Sequence, residues 1–464
     1  MDTVDSLLDY IASVQYEDLP DGVVRAAKGI ILNTFGAILA GSGAQGVKEI
    51  ASLAKQWGGK QESTVFLHDS KVPAHEAVFV NATMARAIDF DEFNLKTGIH
   101  SGATVLPVAL AAAELSGNTA GKDLIAAVVV GAEVMCRMRL VPDFCIGTSG
   151  WTGEVFGGFG GAITAGRILG LTREKMGAAL GLAYSQASGN SQAIYDGSLA
   201  TRLQQGFSAR AGLLSTRLAL EGITGAHDFL EGRAGFYPVY YRGMAYDITR
   251  LLDGIGERYE FLNIATKPYP CCGFLMAPIE NVIGIIRNNT LNPRDIARVE
   301  VHVNQRMYNT VCDPLETRYR PKTIADAMFS LPYVVGTAML RGDVFLEDFT
   351  ADKIIDPERL KFVDKVEILV DDGIERESRE LNLSLSLHRI VLETKSGQHF
   401  SEKMYHSKGF PQQPMTIEDF IHKIEKCAPY AVKPFTLDRI EALENLVTHL
   451  EDQKDASSLA TLFF

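Results

Sequence analysis

The chain has little excess positive charge to offer a polyanionic partner. It carries 45 Lys and Arg residues against 57 Asp and Glu residues, which gives a net charge of −12 at neutral pH. Nucleic acids and anionic membrane surfaces are bound through basic surface, so this balance argues against either as the main partner. An acidic substrate remains compatible, because a local basic pocket can form on an acidic protein.

Cysteine is scarce, and its spacing is not that of a metal site. Six cysteines occur among 464 residues, and none belongs to a CxxC pair. No group of histidines, cysteines and carboxylates has the spacing of zinc ligands, so the sequence predicts no metal site. Cysteines used in this way are typical of a protein in a reducing cytoplasm.

Long apolar runs and a basic leader are also missing. No stretch reaches the roughly 18 uninterrupted apolar residues of a membrane-spanning helix. The first ten residues, MDTVDSLLDY, begin with acids and lack the basic region and apolar core of a secretory signal. We therefore expect neither a membrane span nor a secretory signal, and a cytoplasmic location.

One glycine-rich stretch, GEVFGGFGGAITAG, could be mistaken for a nucleotide-binding loop. Gly158 and Gly160 would need a third glycine at position 163, where the chain has Ile163, and no strand precedes them. The small residues are better explained by helices that pack closely against one another.

The apolar pattern changes period along the chain. Behind Asp21, which we predict to cap a helix, apolar residues recur at helical spacing, and further helical patterns follow as far as residue 221. Near residue 260 the pattern changes, and ARVEVHV (297–303) and KVEILV (365–370) alternate like half-buried strands. Helical periodicity returns near the end of the chain, where TIED at Thr416 has the pattern of a capping box.

These patterns predict two domains, since 464 residues are too many for one simple core. We predict a mainly α protein with a large all-helical domain of residues 1–261 and 396–464. A smaller α+β domain of residues 262–395 is inserted into it.

The first stretch that could carry chemistry is AIDFDEFNLKTGIHSG. It brings Asp89, Asp91, Glu92 and His100 into a loop between two apolar helices. A histidine in such a loop can act as an acid or base near neutral pH, and a neighbouring carboxylate can orient it and raise its pKa. A histidine that only caps a helix or bonds a backbone carbonyl is an equally compatible interpretation.

The second stretch, KPYPCCGFLMAP, begins at the change of pattern. Its prolines keep Lys267 on an extended segment, and pockets favour domain junctions, so this lysine could bind a carboxylate or act as a base. Cys271 and Cys272 are adjacent, and the side chains of an extended dipeptide point in opposite directions. The pair is therefore a poor metal chelate, and one thiol is a candidate catalytic group.

Two basic stretches complete the candidates. ATRLQQGFSARAG places Arg202 and Arg210 near two helical turns apart, and TRYRPK places Arg320 in a basic cluster before a helix. Guanidinium groups bind carboxylates bidentately, so these residues suit a di- or tricarboxylate. Solvated surface charge is the alternative at each position.

Five motifs stand together in a characteristic order: AIDFDE with HSGATVLP, GWTGEVFGGFGGA, TRLQQGFSARAG, KPYPCCGF and DAMFSLPYVV. The chain thereby resembles the MmgE/PrpD family, which includes 2-methylcitrate dehydratase, cis-aconitate decarboxylase and iminodisuccinate epimerase. The resemblance extends from about Leu19 to about Pro414. It implies a large helical domain, a smaller α+β domain, a homodimer, an active site between the domains, and no required cofactor or metal.

The resemblance also implies site residues. Asp89 and Asp91 match the first two acids of the family motif DFDD, and His100 and Lys267 match its histidine and lysine motifs. The implied catalytic residues are His100, Lys267, Asp89 and Cys272. The implied substrate-binding residues are Asp91, Thr152, Thr201, Arg202, Tyr269, Tyr319 and Arg320.

The chain departs from the family pattern at three of these positions. Thr152 stands where the dehydratase and decarboxylase carry a histidine, Thr201 replaces a lysine, and Cys272 stands near another histidine of the decarboxylase. A threonine hydroxyl cannot serve as a general base unless another group activates it. The departures argue against cis-aconitate decarboxylation and ordinary methylcitrate dehydration.

The predicted function is proton transfer next to a carboxylate of a small di- or tricarboxylic acid, without a cofactor. One proton donor on one face of the substrate suits a lyase, and two donors on opposite faces suit an isomerase or epimerase. The alternative is a catalytically silent homodimer of the same fold that binds carboxylates or has a structural role.

Overall fold

The computed structural model describes residues 3–143, 150–381, 383 and 385–464 of the chain. Within these residues it contains 21 α-helices and only small sheets, which confirms the predicted mainly α class. The chain divides into two compact units. The first is Met1–Thr266 with Met415–Phe464, and the second is Lys267–Pro414.

The observed boundaries differ from the predicted insertion of residues 262–395 at both ends. At the first, strand β4 (Ile264–Ala265) pairs antiparallel with β3 (Phe93–Asn94), so it belongs to the first unit. At the second, the last strand, β8 (His399–Met404), lies beyond residue 395 and pairs within the sheet of the second unit. Pairing with a strand distant in sequence therefore assigns β4 to the first unit, and a short hairpin with β7 keeps β8 in the second.

The first unit consists of helices with two short antiparallel strand pairs. Its second pair is β3 with β4, and its first is β1 (Ser63–Val65) with β2 (Ser70–Val72). The helices before the second unit are α1 Thr3–Ser13, α2 Asp21–Gly41, α3 Val47–Trp57, α4 Ala74–Arg86, α5 Gly102–Ser116, α6 Gly121–Leu140, α7 Gly157–Ile168, α8 Arg173–Tyr184, α9 Gln192–Tyr195, α10 Ala200–Leu220 and α11 Phe236–Tyr240.

Helix α7 contains the glycine-rich stretch, and it packs directly against α10. A Cβ atom on Gly212 of α10 would lie 2.7 Å from the Cα of Gly161 in α7. The two backbones therefore touch, which only glycine allows at this crossing. The stretch is a helix-packing surface, as the sequence predicts.

Helix α2 is long and apolar enough to cross a membrane by length and composition alone. However, 83% of its apolar stretch is buried inside the structure. That burial is what the central helix of a packed core shows, and one such helix is weak evidence for a membrane span. Polar residues interrupt this helix, so it does not meet the criterion of uninterrupted apolar residues.

The second unit is built on a four-stranded sheet in the order β6–β5–β7–β8. Strand β5 (Ile296–Val303) runs parallel to β6 (Val366–Val370) and antiparallel to β7 (His388–Thr394). Buried and half-buried residues alternate along β7, as predicted for a strand with one face on a core. The helices are α12 Met276–Asn288, α13 Gln305–Val311, α14 Leu315–Tyr319, α15 Ile324–Met328, α16 Leu331–Arg341, α17 Pro357–Val363 and α18 Asp372–Glu380.

The apolar spacing of Ala325–Leu340 predicts a single helix in this unit, whereas the structure has two, α15 and α16. The break between α15 and α16 falls at Ser330, whose Oγ accepts a hydrogen bond from the backbone N–H of Tyr333 at 3.1 Å. Ser330 thus caps α16, and Pro332 lies in the first turn, where its missing N–H costs nothing.

After Pro414 the chain returns to the first unit with α19 (Ile417–Cys427), α20 (Leu437–Thr448) and α21 (Ser458–Thr461). The capping box predicted at Thr416 is present. Its Oγ1 accepts from the backbone N–H of Asp419 at 3.3 Å, and the Asp419 carboxylate accepts from the Thr416 N–H at 2.9 Å.

Candidate active site

The acid loop, residues 87–101, connects α4 to α5 in the first unit. Just after α4, Asp89 adopts a left-handed backbone conformation with φ of 52°, which turns the chain sharply. Aspartate tolerates this conformation better than most residues, although it costs energy. Later in the loop, the Asn94 side-chain oxygen accepts from the N–H groups of Lys96 and Thr97, both at 3.0 Å, and reverses the chain. The two bends bring the ends of the loop together.

Asp91 and His100 meet across the acid loop. Nδ1 of His100 lies 2.9 Å from Oδ2 of Asp91, at ion-pair distance but without the alignment of a hydrogen bond. The Asp91 side chain is fully buried, whereas 17% of the His100 side chain is exposed. A buried carboxylate at this distance orients the imidazole.

Arg86 is the cation of this cluster, and it was not among the predicted site residues. Its Nη1 contacts Oδ1 of Asp89 closely and lies 3.4 Å from Oδ1 of Asp91. Burial acts to lower the pKa of Arg86, but the attraction of Asp91 and Asp89 outweighs it and raises the pKa. The signal was available, since Arg86 lies three residues before Asp89 at the end of a helix.

Glu92, in the same loop, has a structural role. It is fully buried, and one carboxylate oxygen accepts the backbone N–H of Gly102 at the start of α5. Burial raises its pKa, and the adjacent Asp91 raises it further. A Cβ on Gly102 would lie 2.8 Å from that oxygen, so a glycine is needed here. Glu92 thus caps α5, because a carboxyl group at a helix N-terminus satisfies its free N–H groups.

The tertiary structure gathers three potential metal ligands that are not at zinc-like spacing in the sequence. The ligand atoms of Asp89, Asp91 and His100 all lie within 4.8 Å of one another. The sharp turn at Asp89 and the return of the loop bring them together. Arg86 already contacts both carboxylates and neutralises charge that would attract a metal ion. The absence of a metal requirement stays a prediction.

Two further residues at the cluster were not predicted. The side-chain amide of Gln205, on α10, donates to the backbone carbonyl of His100 at 3.2 Å and also contacts Thr104. It thereby ties the histidine to a second helix. Glu154 is buried, and its charge acts on Arg86. Both lie in the motifs GWTGEVFGGFGGA and TRLQQGFSARAG, and those motifs are the signal that could have found them.

The predicted substrate-binding residues of the first unit differ in their environments. Thr152 is 5% exposed, and its buried hydroxyl has no hydrogen-bond partner among the described residues. Thr201 lies in the first turn of α10, and its N–H donates to the Ser198 carbonyl at 3.1 Å. Arg202 donates to the carbonyl of Gln45 at 3.0 Å.

Arg202 also lies within electrostatic range of Arg86, the last residue of α4. Burial lowers the pKa of Arg202, and the positive charge of Arg86 lowers it further. The guanidinium of Arg86, which contacts the carboxylates of Asp89 and Asp91, thus acts on that of Arg202. Such a pair is stabilised by additional negative charge.

In the second unit, the predicted residues around Lys267 are buried. Lys267 is 1% exposed, Cys271 is fully buried, and Cys272 is 8% exposed. The backbone N–H of Cys272 donates to the Met328 carbonyl at 3.0 Å, which fixes the segment against α15. Burial is the main cause that raises the pKa of Tyr269. The catalytic role assigned to Lys267 and Cys272 stays a prediction.

Tyr319 and Arg320 are engaged in contacts that hold α14 to the end of the sheet. The Tyr319 hydroxyl donates to the Val366 carbonyl at 2.6 Å, and burial raises its pKa to about 12. Arg320 pairs with Asp364 at 2.7 Å on the surface. A substrate would have to replace these bonds, so they favour a structural role, and the binding role of both residues stays a prediction.

Taken together, the fold and the site define a mainly α protein with a buried cluster of one histidine, two aspartates and one arginine. The family model of the MmgE/PrpD N-terminal domain matches residues 5–249, and that of the MmgE/PrpD C-terminal domain matches residues 269–448. The chain belongs to the MmgE/PrpD family, which confirms the resemblance seen in the sequence.

Individual relatives are similar over nearly their whole length. A cis-aconitate decarboxylase of Aspergillus terreus is 26% identical, over 98% of this chain and 94% of the relative. A cis-aconitate decarboxylase of Mus musculus is 25% identical, over 99% of this chain and 92% of the relative. A cis-aconitate decarboxylase-like protein of Aspergillus oryzae is 24% identical, over 98% and 96%. Decarboxylases are lyases, so these relatives support the predicted enzyme class.

Proposed function

We propose that this protein is a lyase that acts on a small carboxylic acid by proton transfer at the carbon next to a carboxylate. His100 is the acid/base group, and Asp91 is the carboxylate that orients it. The observation that carries the proposal is the 2.9 Å approach of His100 Nδ1 to a fully buried carboxylate oxygen of Asp91. The similarity to decarboxylases supports the same class of reaction.

The geometry gives the two imidazole nitrogens different roles. Nδ1 faces Asp91, which favours a proton on that nitrogen and leaves Nε2 to exchange a proton with the substrate. When negative charge develops on a carbon next to a carboxylate, an acid or base on the correct face of the substrate must exchange a proton with that carbon. Arg86 contacts the other oxygen of Asp91 and stabilises it as an anion.

The charges of the first unit suit a substrate with few carboxylates. Asp89, Asp91 and Glu154 contribute three carboxyl groups, and Arg86 and Arg202 contribute two guanidinium groups. A buried carboxylate without a cation is costly, so each additional substrate carboxylate is disfavoured. We therefore propose a dicarboxylate or a close derivative in preference to a tricarboxylate.

We further propose that the enzyme works as a cytoplasmic homodimer without a metal or other cofactor. This part rests on the family resemblance and on the composition, which is acidic and has scattered cysteines. Dialysis against a chelator is expected to leave the activity unchanged. Loss of activity that only an added metal ion restores would contradict this part of the proposal.

The test uses purified enzyme, a panel of di- and tricarboxylates, and heavy water as solvent. A lyase releases water or carbon dioxide from its substrate, whereas an isomerase or epimerase introduces deuterium next to a carboxylate without losing a fragment. The His100→Gln variant is expected to lose about 10²–10⁴ in rate, the usual contribution of a positioned acid or base. No turnover of any acid by the wild-type enzyme would favour a catalytically silent protein.

The chain offers a matched control for this variant. His227 and Asp228 form an exposed pair in the same unit, with Nδ1 and Oδ1 2.7 Å apart. His227→Gln therefore removes a histidine paired with an aspartate, but at the surface. We expect it to keep wild-type activity. Equal losses in the two variants would contradict the role of His100.

A further inference from the structure

Helix α19 carries a buried lysine that the reaction chemistry does not explain. Lys423 is 4% exposed, and its Nζ donates to the Asn33 side-chain oxygen at 2.7 Å and to the Phe90 backbone carbonyl at 2.8 Å. The same Nζ lies 3.5 Å from the centroid of the Phe90 ring. A buried ammonium is costly unless such partners compensate for its lost hydration.

The sequence of α19 places this lysine in the core. Phe420, Lys423, Ile424 and Cys427 follow the spacing of one helix face, and all four are buried. On α2, a Cβ on Gly29 would lie 2.8 Å from the Phe420 ring. The small residues of α2 therefore let α19 approach closely enough for Lys423 to reach the acid loop.

Hydrogen bonds link Lys423 to both sequence neighbours of Asp91. Phe90 is held directly through its carbonyl. Glu92 is reached through Asn33, whose side-chain amide lies 3.5 Å from the Glu92 carboxylate. Glu92 in turn accepts the N–H of Gly102 at the start of α5. The backbone on each side of Asp91 is thus anchored to the core.

We propose that Lys423 is a positioning residue that holds the acid loop so that Asp91 faces His100. The proposal rests on the proposed function, because His100 and Asp91 are its reacting pair. The chain leaves the first unit at residue 266 and returns at residue 415, so the return segment completes the support of the site. Lys423 acts through Phe90 and Asn33.

Loss of this positioning is expected to lower the reaction rate more than the affinity for the substrate. A displaced acid or base about 1 Å from its productive position can cost on the order of 100-fold in rate. Lys423→Met keeps the length and apolar stem of the side chain but removes its charge and donors. We expect kcat to fall about 10-fold to 100-fold while KM stays within about twofold, as when an interaction that serves only the transition state is lost.

Lys28→Met is the matched control. Lys28 is a second buried lysine that joins α2 to the return segment, since its Nζ donates to the Thr448 carbonyl at 2.6 Å and pairs with Glu451 at 2.5 Å. Its partners are Thr448 and Glu451 in place of Phe90 and Asn33, so Lys28→Met removes a similar link at a different place in the first unit. We expect Lys28→Met to lower the melting temperature as Lys423→Met does, but to keep kcat.

Hydrogen exchange supplies a readout that does not depend on activity. In Lys423→Met the backbone amides of residues 89–102 are expected to exchange faster than in Lys28→Met, at equal global stability. Asn33→Ala cuts the link to Glu92 and is expected to show the same exchange and the same fall in kcat, should Lys423→Met fail to fold. Hydrogen exchange thus reports on the loop, and kcat reports on the reaction.

The outcomes distinguish the two proposals. If His100→Gln loses activity but Lys423→Met and Asn33→Ala keep wild-type kcat and exchange, the positioning role is wrong and the proposed function stands. If Lys28→Met lowers kcat as much as Lys423→Met, the effect is global stability, and the positioning role is again wrong. If His100→Gln keeps full activity, the proposed function itself is wrong.

Discussion

Arg86 Nη1 lies 3.4 Å from Oδ1 of Asp91, the carboxylate whose Oδ2 faces His100. Asp91 is thereby held between a cation from the end of α4 and the histidine at the far end of the acid loop. A side chain that the sequence analysis did not select thus completes the charge balance of the proposed acid/base pair.

Arg86→Gln is expected to destabilise the protein and to lower its activity. Removing one partner of a buried ion pair leaves an uncompensated charge and typically costs about 3–5 kcal/mol of unfolding free energy. Here Asp91 is fully buried, and Arg86 is the cation beside its Oδ1. Urea unfolding measures the loss, and Arg86→Lys, which keeps the charge, should recover part of it. Unchanged stability in Arg86→Gln would contradict the pairing.

Thr152→Val tests the unpartnered hydroxyl at a position implied to bind substrate. The swap removes a buried polar group without a partner and keeps the shape of the side chain. We expect the unliganded protein to become more stable by about 1 kcal/mol, since no hydrogen bond is lost. KM for the substrate should rise at the same time. Higher stability with unchanged KM would remove Thr152 from the substrate site, and Thr164→Val, at a bonded hydroxyl, is the control.

The charge balance predicts weak or no turnover of cis-aconitate, a tricarboxylate. Thr152 and Thr201 replace a histidine and a lysine of the family pattern, so up to two positive charges are missing. We expect a higher kcat/KM for dicarboxylates than for cis-aconitate or methylcitrate in a direct comparison. Rapid decarboxylation of cis-aconitate would show that neither threonine limits this chemistry.

Lys267 is predicted to anchor a substrate carboxylate or to act as a second proton donor. It is 1% exposed, so Lys267→Met replaces a buried ammonium with an apolar side chain of similar length. We expect a loss of about 10²–10⁴ in rate with a melting temperature within a few degrees of wild type. Loss of fold and rate together would favour a structural role for this lysine.

His388 is expected to make the stability depend on pH below 6.5. Burial lowers its pKa to about 4, and its Nδ1 lies 2.8 Å from the Ser386 carbonyl. Between these values the unfolded chain binds a proton that the folded chain does not, so unfolding free energy falls as pH drops from 6.5 towards 4. The full effect is about 3 kcal/mol.

Urea unfolding across this pH range checks the expectation. His388→Gln should flatten the dependence, because the titrating group is gone. His399→Gln removes an exposed histidine from the neighbouring strand β8 and should leave the dependence unchanged. A wild-type slope in His388→Gln would show that another group is responsible.

The sequence by itself determined the elements whose signals are local. Helical spacing behind Asp21 predicted α2, and alternation predicted β5 and β6, because these periods are properties of consecutive residues. The capping box at Thr416 is equally local. Asp91 and His100 were also selected, since they carry the chemistry and lie in one short loop.

Tertiary structure decided which distant groups meet. In the sequence, Lys423 is a polar residue on an amphipathic helix. In the folded chain, the return segment brings it to Phe90 and Asn33. The Tyr319 hydroxyl donates to the Val366 carbonyl, 47 residues further along the chain, and the motif around Tyr319 does not identify that partner. The physical reason is that a buried charge or hydroxyl is satisfied by whichever partner the folded chain brings within hydrogen-bond distance, and local sequence spacing does not encode that partner.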